Sequence, residues 1–89
     1  MEEREPVLIY SSLNRCFIKD GVSVHVNIFR ADTDTVWLLE VINASNTSIC
    51  WDDPFDTEDD AFAEFMRVVE EEGMAAFSDK HAIHFSRLH

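Results

Sequence analysis

Lys19-Asp20-Gly21-Val22-Ser23-Val24-His25-Val26-Asn27-Ile28 is the stretch that decides the fold. Asp-Gly is the pair a two-residue hairpin turn demands, because both central residues take positive φ. Behind it, Val22, Val24, Val26 and Ile28 alternate with Ser23, His25 and Asn27, the pattern of a half-buried strand. Centring the turn on Asp20-Gly21 sets Phe17 opposite Val24 and Cys16 opposite His25. Downstream, Ala31-Asp32-Thr33-Asp34 turns the chain into a strand over 35–42, rich in β-branched and aromatic residues. Asn43-Ala44-Ser45-Asn46 turns it again into a strand over 47–51, and 7–10 reads as a further short strand. A second turn centred on Asp32-Thr33 would place Ile28 opposite Trp37, Val26 opposite Leu39 and Val24 opposite Val41. Keeping Ile49 and Trp51 on the same side then sets Cys50 opposite Glu40. One face of the sheet thereby collects Phe17, the four even-numbered residues 22–28, Trp37, Leu39, Val41, Ile49 and Trp51. A slip of one residue would turn all of them to water, so this face is the core.

That face needs a cover, and the sequence supplies one helix. Pro54 ends the last strand, and Asp56 or Thr57 can accept hydrogen bonds from the first free helical N–H groups. Glu58, Asp59 and Asp60 follow in the first turn, where the helix dipole favours negative charge. Phe62, Phe65, Met66 and Val69 fall at i, i+3, i+4 and i+7, one apolar stripe. Gly73 suits the left-handed position just past the end, with Met74 set for the contact beyond it. The spacing predicts a helix over 57–72. Ile83 and Phe85 alternate with His84 and Ser86, which allows a short final strand. The fold class is therefore α+β: an antiparallel β-meander of about four strands with one amphipathic helix packed on one face. We expect one domain over 1–89, with an ordered core of about 7–77 and a tail, 78–89, whose structure the pattern leaves open.

The opposite face carries Ile18, Phe29, Val36, Leu38 and Ile42 among Cys16, Ser23, His25, Asn27, Glu40, Ser48 and Cys50. A solvated sheet face is mostly polar, and this one is not. The single helix is already used on the other side. Either the tail around Ile83 and Phe85 or a second copy of the chain is expected to cover it, and the homodimer is the favoured expectation.

The chain has 89 residues, 46% of them hydrophobic, with two Gly and two Pro, which excludes low-complexity and disordered classes. A monomer of this size buries roughly 64% of its unfolded surface, enough for one modest core. Seven Lys and Arg against eighteen Asp and Glu give a net charge of −11. Such a surface repels phosphate, so neither nucleic acid nor a membrane is an expected partner. Ten of the acids lie between 52 and 72 with Arg67 as the lone base, so the strand half is nearly neutral and the helical half strongly acidic. Two cysteines make no disulfide framework and match no zinc spacing, and the charged N-terminus does not resemble a signal peptide. The expected compartment is cytoplasmic.

Candidate chemistry is sparse. The register above sets Cys16, His25, Glu40 and Cys50 in one lateral row, and His25, Glu40 and Cys50 together would be a candidate polar or ligand site. Cys16 and Cys50 would stand about 14 Å apart across that row, too far to share one ion. The competing reading is a cross-strand His–Glu pair with two structural thiols. His81, His84 and His89 fit an exposed tail better than a metal site, and the loop 52–60 lacks the mid-loop glycine of an EF-hand. No phosphate loop, nucleophile elbow or HExxH motif occurs, so no catalytic residue, cofactor or metal ligand is assigned. The outward helix face, Glu58, Asp59, Glu64, Glu70 and Glu71, is a candidate surface for a basic protein partner, where charge would speed association. Mimicry of the DNA backbone is its extreme form.

Asp20-Gly21-Val22-x-Val24-x-Val26-x-Ile28-Phe29-Arg30, Trp37-Leu38-Leu39-Glu40-Val41 and Ser48-x-x-Trp51-Asp52-Asp53-Pro54-Phe55-x-Thr57 together resemble small uncharacterised bacterial proteins described as domains of unknown function, over roughly residues 17–73. The resemblance implies a bacterial origin and carries no activity, substrate or catalytic residue. The expected function is that of a non-enzymatic interaction or accessory module, with a small-ligand-binding or enzymatic domain as the alternative.

Overall fold

A computed structural model describes residues 7–79. Among them are five strands, β1 (Leu8–Tyr10), β2 (Arg15–Lys19), β3 (Val22–Ala31), β4 (Leu38–Asn43) and β5 (Ser48–Cys50), then one helix, α1 (Glu58–Glu72), and a 3-10 turn over Met74–Phe77. The strands form one antiparallel sheet, giving the expected α+β fold. β2 to β5 run as a meander, and β1 is added on the same edge of β3 as β2.

The Asp20-Gly21 turn behaves as its chemistry demands, with φ of 54° and 76°. It sets Phe17 opposite Val24 and Cys16 opposite His25. Past Lys19 and Arg15 the edge of β3 changes partner. Between the two short strands the ladder is bridged locally: Ser11 N–H donates to the Ile28 carbonyl at 2.9 Å, and Ile28 N–H donates to Asn14 Oδ1 at 2.7 Å. A side-chain oxygen thus stands where a strand carbonyl would, and no buried side-chain polar atom among the described residues lacks a partner.

The β3–β4 register corrects the sequence reading by two residues. Val26 lies opposite Val41, Ile28 opposite Leu39 and Val24 opposite Asn43. The turn lacks glycine and opens into a wider loop: Asp34 N–H closes on the Ala31 carbonyl, and Arg30 Nη1 donates to the Ala31 and Asp34 carbonyls. The Arg30 guanidinium sits 5.2 Å over the Trp37 ring, a cation–π contact. Trp37 does not pair with Ile28; its N–H and C=O exchange bonds with Phe55, both at 2.8 Å. Because the shift is even, every residue paired between β3 and β4 keeps its face. The β4–β5 register, Val41 opposite Ile49 and Glu40 opposite Cys50, is as read from the sequence.

α1 is capped by Thr57, whose hydroxyl accepts from Asp60 N–H at 3.0 Å, and ends at Gly73, whose N–H donates back to the Val68 and Val69 carbonyls and whose φ of 82° turns the chain out of the helix. Ala61, Phe65, Val68 and Val69 of the helix join Val24, Val26, Ile28, Leu39, Val41 and Ile49 in one buried cluster, with Trp51, Phe55, Met74 and Phe77 completing it. Phe62 and Met66 of the expected stripe pack at its margin. Phe65 is the hub: its ring meets Phe17 edge-on at 5.0 Å and stacks on Phe77 at 5.5 Å. Asn43 ties the segment after α1 to the sheet, its Nδ2 donating to the Phe77 carbonyl at 2.9 Å and to Asp79 Oδ1 at 2.8 Å. Its own Oδ1 accepts from Ser45 and Thr47 N–H, which closes the β4–β5 turn. The possible strand around Ile83 and Phe85 lies outside the described residues, as do His81, His84 and His89.

Candidate interaction surface

Side chains alternate across a sheet, so the odd residues of β3 and their partners form a second face. None of that face's side chains belongs to the buried cluster or packs at its margin. Phe29 lies between Tyr10 on β1 and Leu38 on β4, and Leu8 extends the row opposite Ala31. Tyr10 is 61% exposed, Leu8 46% and Leu38 39%, and at the far corner Ile18 is 68% exposed. The Tyr10 and Phe29 rings lie 6.3 Å apart, tilted by 45°. Phe29 and Ile42 are half-buried by their neighbours alone.

Of the expected face residues, Ile18, Phe29, Leu38 and Ile42 are on it. Val36 is not: it falls in the loop before Trp37, because β4 starts only at Leu38. Leu8 and Tyr10 are the additions. Their segment is apolar throughout, Val7-Leu8-Ile9-Tyr10, so alternation gives no parity, and only the pairing of Tyr10 with Phe29 decides which side they join.

The lateral row of Cys16, His25, Glu40 and Cys50 is not formed. With the register moved by two, His25 faces Cys16 and Ile42, whereas Glu40 faces Asn27 and Cys50. His25 and Glu40 become diagonal neighbours, about 7–8 Å apart between backbones. Both Glu40 carboxylate oxygens are occupied, Oε1 by Asn27 Nδ2 at 3.3 Å and Oε2 by the Ser48 hydroxyl. Ser48 Oγ also lies 3.5 Å from Cys50 Sγ, and Cys16 Sγ lies 3.6 Å from Ser23 Oγ. The Glu40–Ser48 and Cys16–Ser23 contacts tie neighbouring strands together, and Glu40, the base expected beside Cys50, is engaged by Asn27 and Ser48. The recesses on this face hold about 150 Å³, lined by Leu8, Tyr10, Asn27, Phe29 and Glu40, and about 200 Å³ around Cys16, His25 and Ile42. Both fall below the 300–1,000 Å³ typical of a small-molecule pocket. Among the described residues no group of three His, Cys, Asp or Glu side chains is placed to hold a metal.

The acidic helix surface is partly committed inward. Glu58 accepts from the buried Ser11 hydroxyl. Glu64 accepts from Trp51 Nε1 at 3.0 Å and from Arg67 at 2.8 Å, and Arg67 also reaches Glu71 at 3.0 Å. Glu64 holds the guanidinium proton most strongly, so Arg67 sits above its ordinary pKa, desolvation opposing and Glu71 adding a smaller push. Asp59 and Glu70 are exposed. Of the five acids expected to meet a basic partner, two are therefore structural and one is shared with Arg67.

Among the described residues no helix is long and apolar enough to cross a membrane. No protein-family model matches the sequence, and no curated protein or solved structure matches it.

Proposed function

We propose that the protein is a non-enzymatic protein-interaction module of the cytoplasm whose main contact surface is the open face of its sheet, with the exposed acids of α1 as a secondary surface for basic partners. The observation that carries this reading is the exposure of Leu8, Tyr10, Ile18 and Leu38 on one sheet face. Scattered apolar residues are ordinary on a surface; four on one face, one of them paired with the Phe29 ring, are the composition of an interface core. The shallow recesses, and a Glu40 carboxylate already bonded to Asn27 and Ser48, favour a flat protein contact over a small ligand.

A photo-crosslinking side chain introduced at Tyr10 or at Leu38, with Asp59 as a control position, tests the reading in cells. The expected result is a defined protein adduct from the two sheet positions. Absence of any adduct at both sheet positions overturns it.

A further inference from the structure

Resting on that reading of the sheet face, we infer that its occupant is a second copy of this chain, packed face to face about a twofold axis. The first argument is charge. A chain of net charge −11 repels its own copies wherever its acids are displayed. Among the described residues the strands of the open face display almost none: Glu40 is their one carboxylate there, already bonded to Asn27 and Ser48. Ten acids lie instead between 52 and 72, in the segment that contains α1 and packs on the core side. Stacked sheets sit about 10 Å apart and each helix adds about another 10 Å, so a face-to-face pair holds its two acidic helices about 30 Å apart. That is several Debye lengths at physiological salt, about 8 Å each. Apolar, nearly uncharged surface is complementary to itself, and it offers no pattern of charge for a foreign partner to read.

The second argument is the edge. An exposed strand such as β2 is the usual alternative route to self-association, by extending the sheet. Antiparallel pairing of β2 with its own copy about Phe17 would bring Arg15 opposite the partner's Lys19, at both ends of the ladder. Like charges directly opposite one another disfavour that route, whereas on the face the one carboxylate among the described residues, Glu40, is already bonded.

The third argument is size. The five strands hold 3, 5, 10, 6 and 3 residues, and at about 3.3 Å by 4.8 Å per residue their projected area is on the order of 400 Å². Side-chain relief raises accessible area above projection, which places a face-to-face pair among the smaller specific interfaces, below about 1,200 Å² in total. Tyr10 and Phe29 supply aromatic anchors near one end, and Ile18 an aliphatic one at the other corner.

The test is the solution mass of the intact protein by light scattering over about a hundredfold range of concentration. We expect a species near twice the 10.3 kDa chain mass. Tyr10→Lys with Leu38→Lys should weaken pairing at least about 30-fold, the effect of losing an interface anchor, and shift the mass to that of one chain. Glu70→Lys with Asp59→Asn changes the net charge by more and should leave the dimer intact. If the double sheet variant fails to fold by circular dichroism, Ile18→Lys, at the most exposed apolar position, carries the same expectation. A monomer throughout the range, or a dimer indifferent to the sheet variants, overturns the inference. The crosslinks separate this failure from failure of the functional reading. An adduct with a different protein removes the second copy and keeps the contact face, whereas no adduct removes both.

Discussion

β3 presents two faces built from neighbouring residues of one strand, and they have opposite fates. On one side Val24, Val26 and Ile28 are at most 2% exposed beneath α1 and Phe77. On the other, Phe29 stands between Tyr10 and Leu38, both open to solvent. The difference is not hydrophobicity residue by residue. It lies in what the rest of the chain brings: a helix with four buried positions goes to one face, and no described element joins the other in a cluster. Alternation in a strand therefore says which residues share a side, and the inventory of remaining elements says which side is filled.

The hardest blow to this contrast is Phe65→Ala against Ile18→Ser. Removing the fully buried ring should cost about 3–5 kcal/mol, a large share of the roughly 4–13 kcal/mol such a domain has in total. Ile18→Ser should cost within about 0.5 kcal/mol in solution dilute enough that pairing adds nothing. Urea unfolding measures both, and comparable losses would erase the distinction between the faces. A sharper probe is Asn43→Ala, which should lose about 1–3 kcal/mol although it removes no apolar group, because the Phe77 carbonyl and the Ser45 and Thr47 N–H groups lose their partner. A loss below about 0.5 kcal/mol would mean that water replaces the side chain and that the core side is wetter than its packing suggests.

The smallest effect concerns acid. Hydrogen bonds from Asn43 and then Thr47 hold the Asp79 carboxyl below its ordinary range. A carboxylate lowered in the folded state gives stability that is complete above the unfolded pKa, about 3.9, and is lost as pH falls through the lower folded value. The melting temperature of wild type should exceed that of Asp79→Ala at pH 7, and the gap should narrow as pH is taken below 4. A gap that persists unchanged at pH 2 would assign it to packing rather than to the charge.

Much of this was legible in the sequence, for local reasons. Asp20-Gly21 admits one tight turn, so its register follows from covalent chemistry. Thr57, the acidic first turn and Gly73 bound the helix to within one residue of the reading. What could not be read was set by groups distant in sequence. Nothing local in Asp32-Thr33-Asp34-Thr35 fixes a turn length; the choice is made by Arg30 over Trp37 and by Trp37 pairing with Phe55, eighteen residues on. That one choice separates His25 from Glu40 and dissolves the polar row. Likewise Glu58 and Glu64 look like free surface charges in a helical pattern, and only Ser11 and Trp51 reveal their inward use. The core face survived because a two-residue error preserves parity; a proposed site has no such protection, since it depends on which residues meet and not only on which side they share.

The order of the strands has a kinetic consequence. β2 with β3, β3 with β4 and β4 with β5 are each neighbours in sequence as well as in space, so most of the sheet can zip from one turn to the next with little loop to close. β1 is the exception, joined to β3 across the intervening β2, and the bonds from Asn43 to Phe77 and Asp79 span 34 and 36 residues. If those long closures form after the barrier, weakening them by Asn43→Ala should quicken unfolding while leaving the folding rate almost unchanged, which stopped-flow refolding and unfolding in urea would measure. The lifetime of the folded state is then expected to respond to Asn43 and β1, and the speed of folding to the meander from β2 to β5.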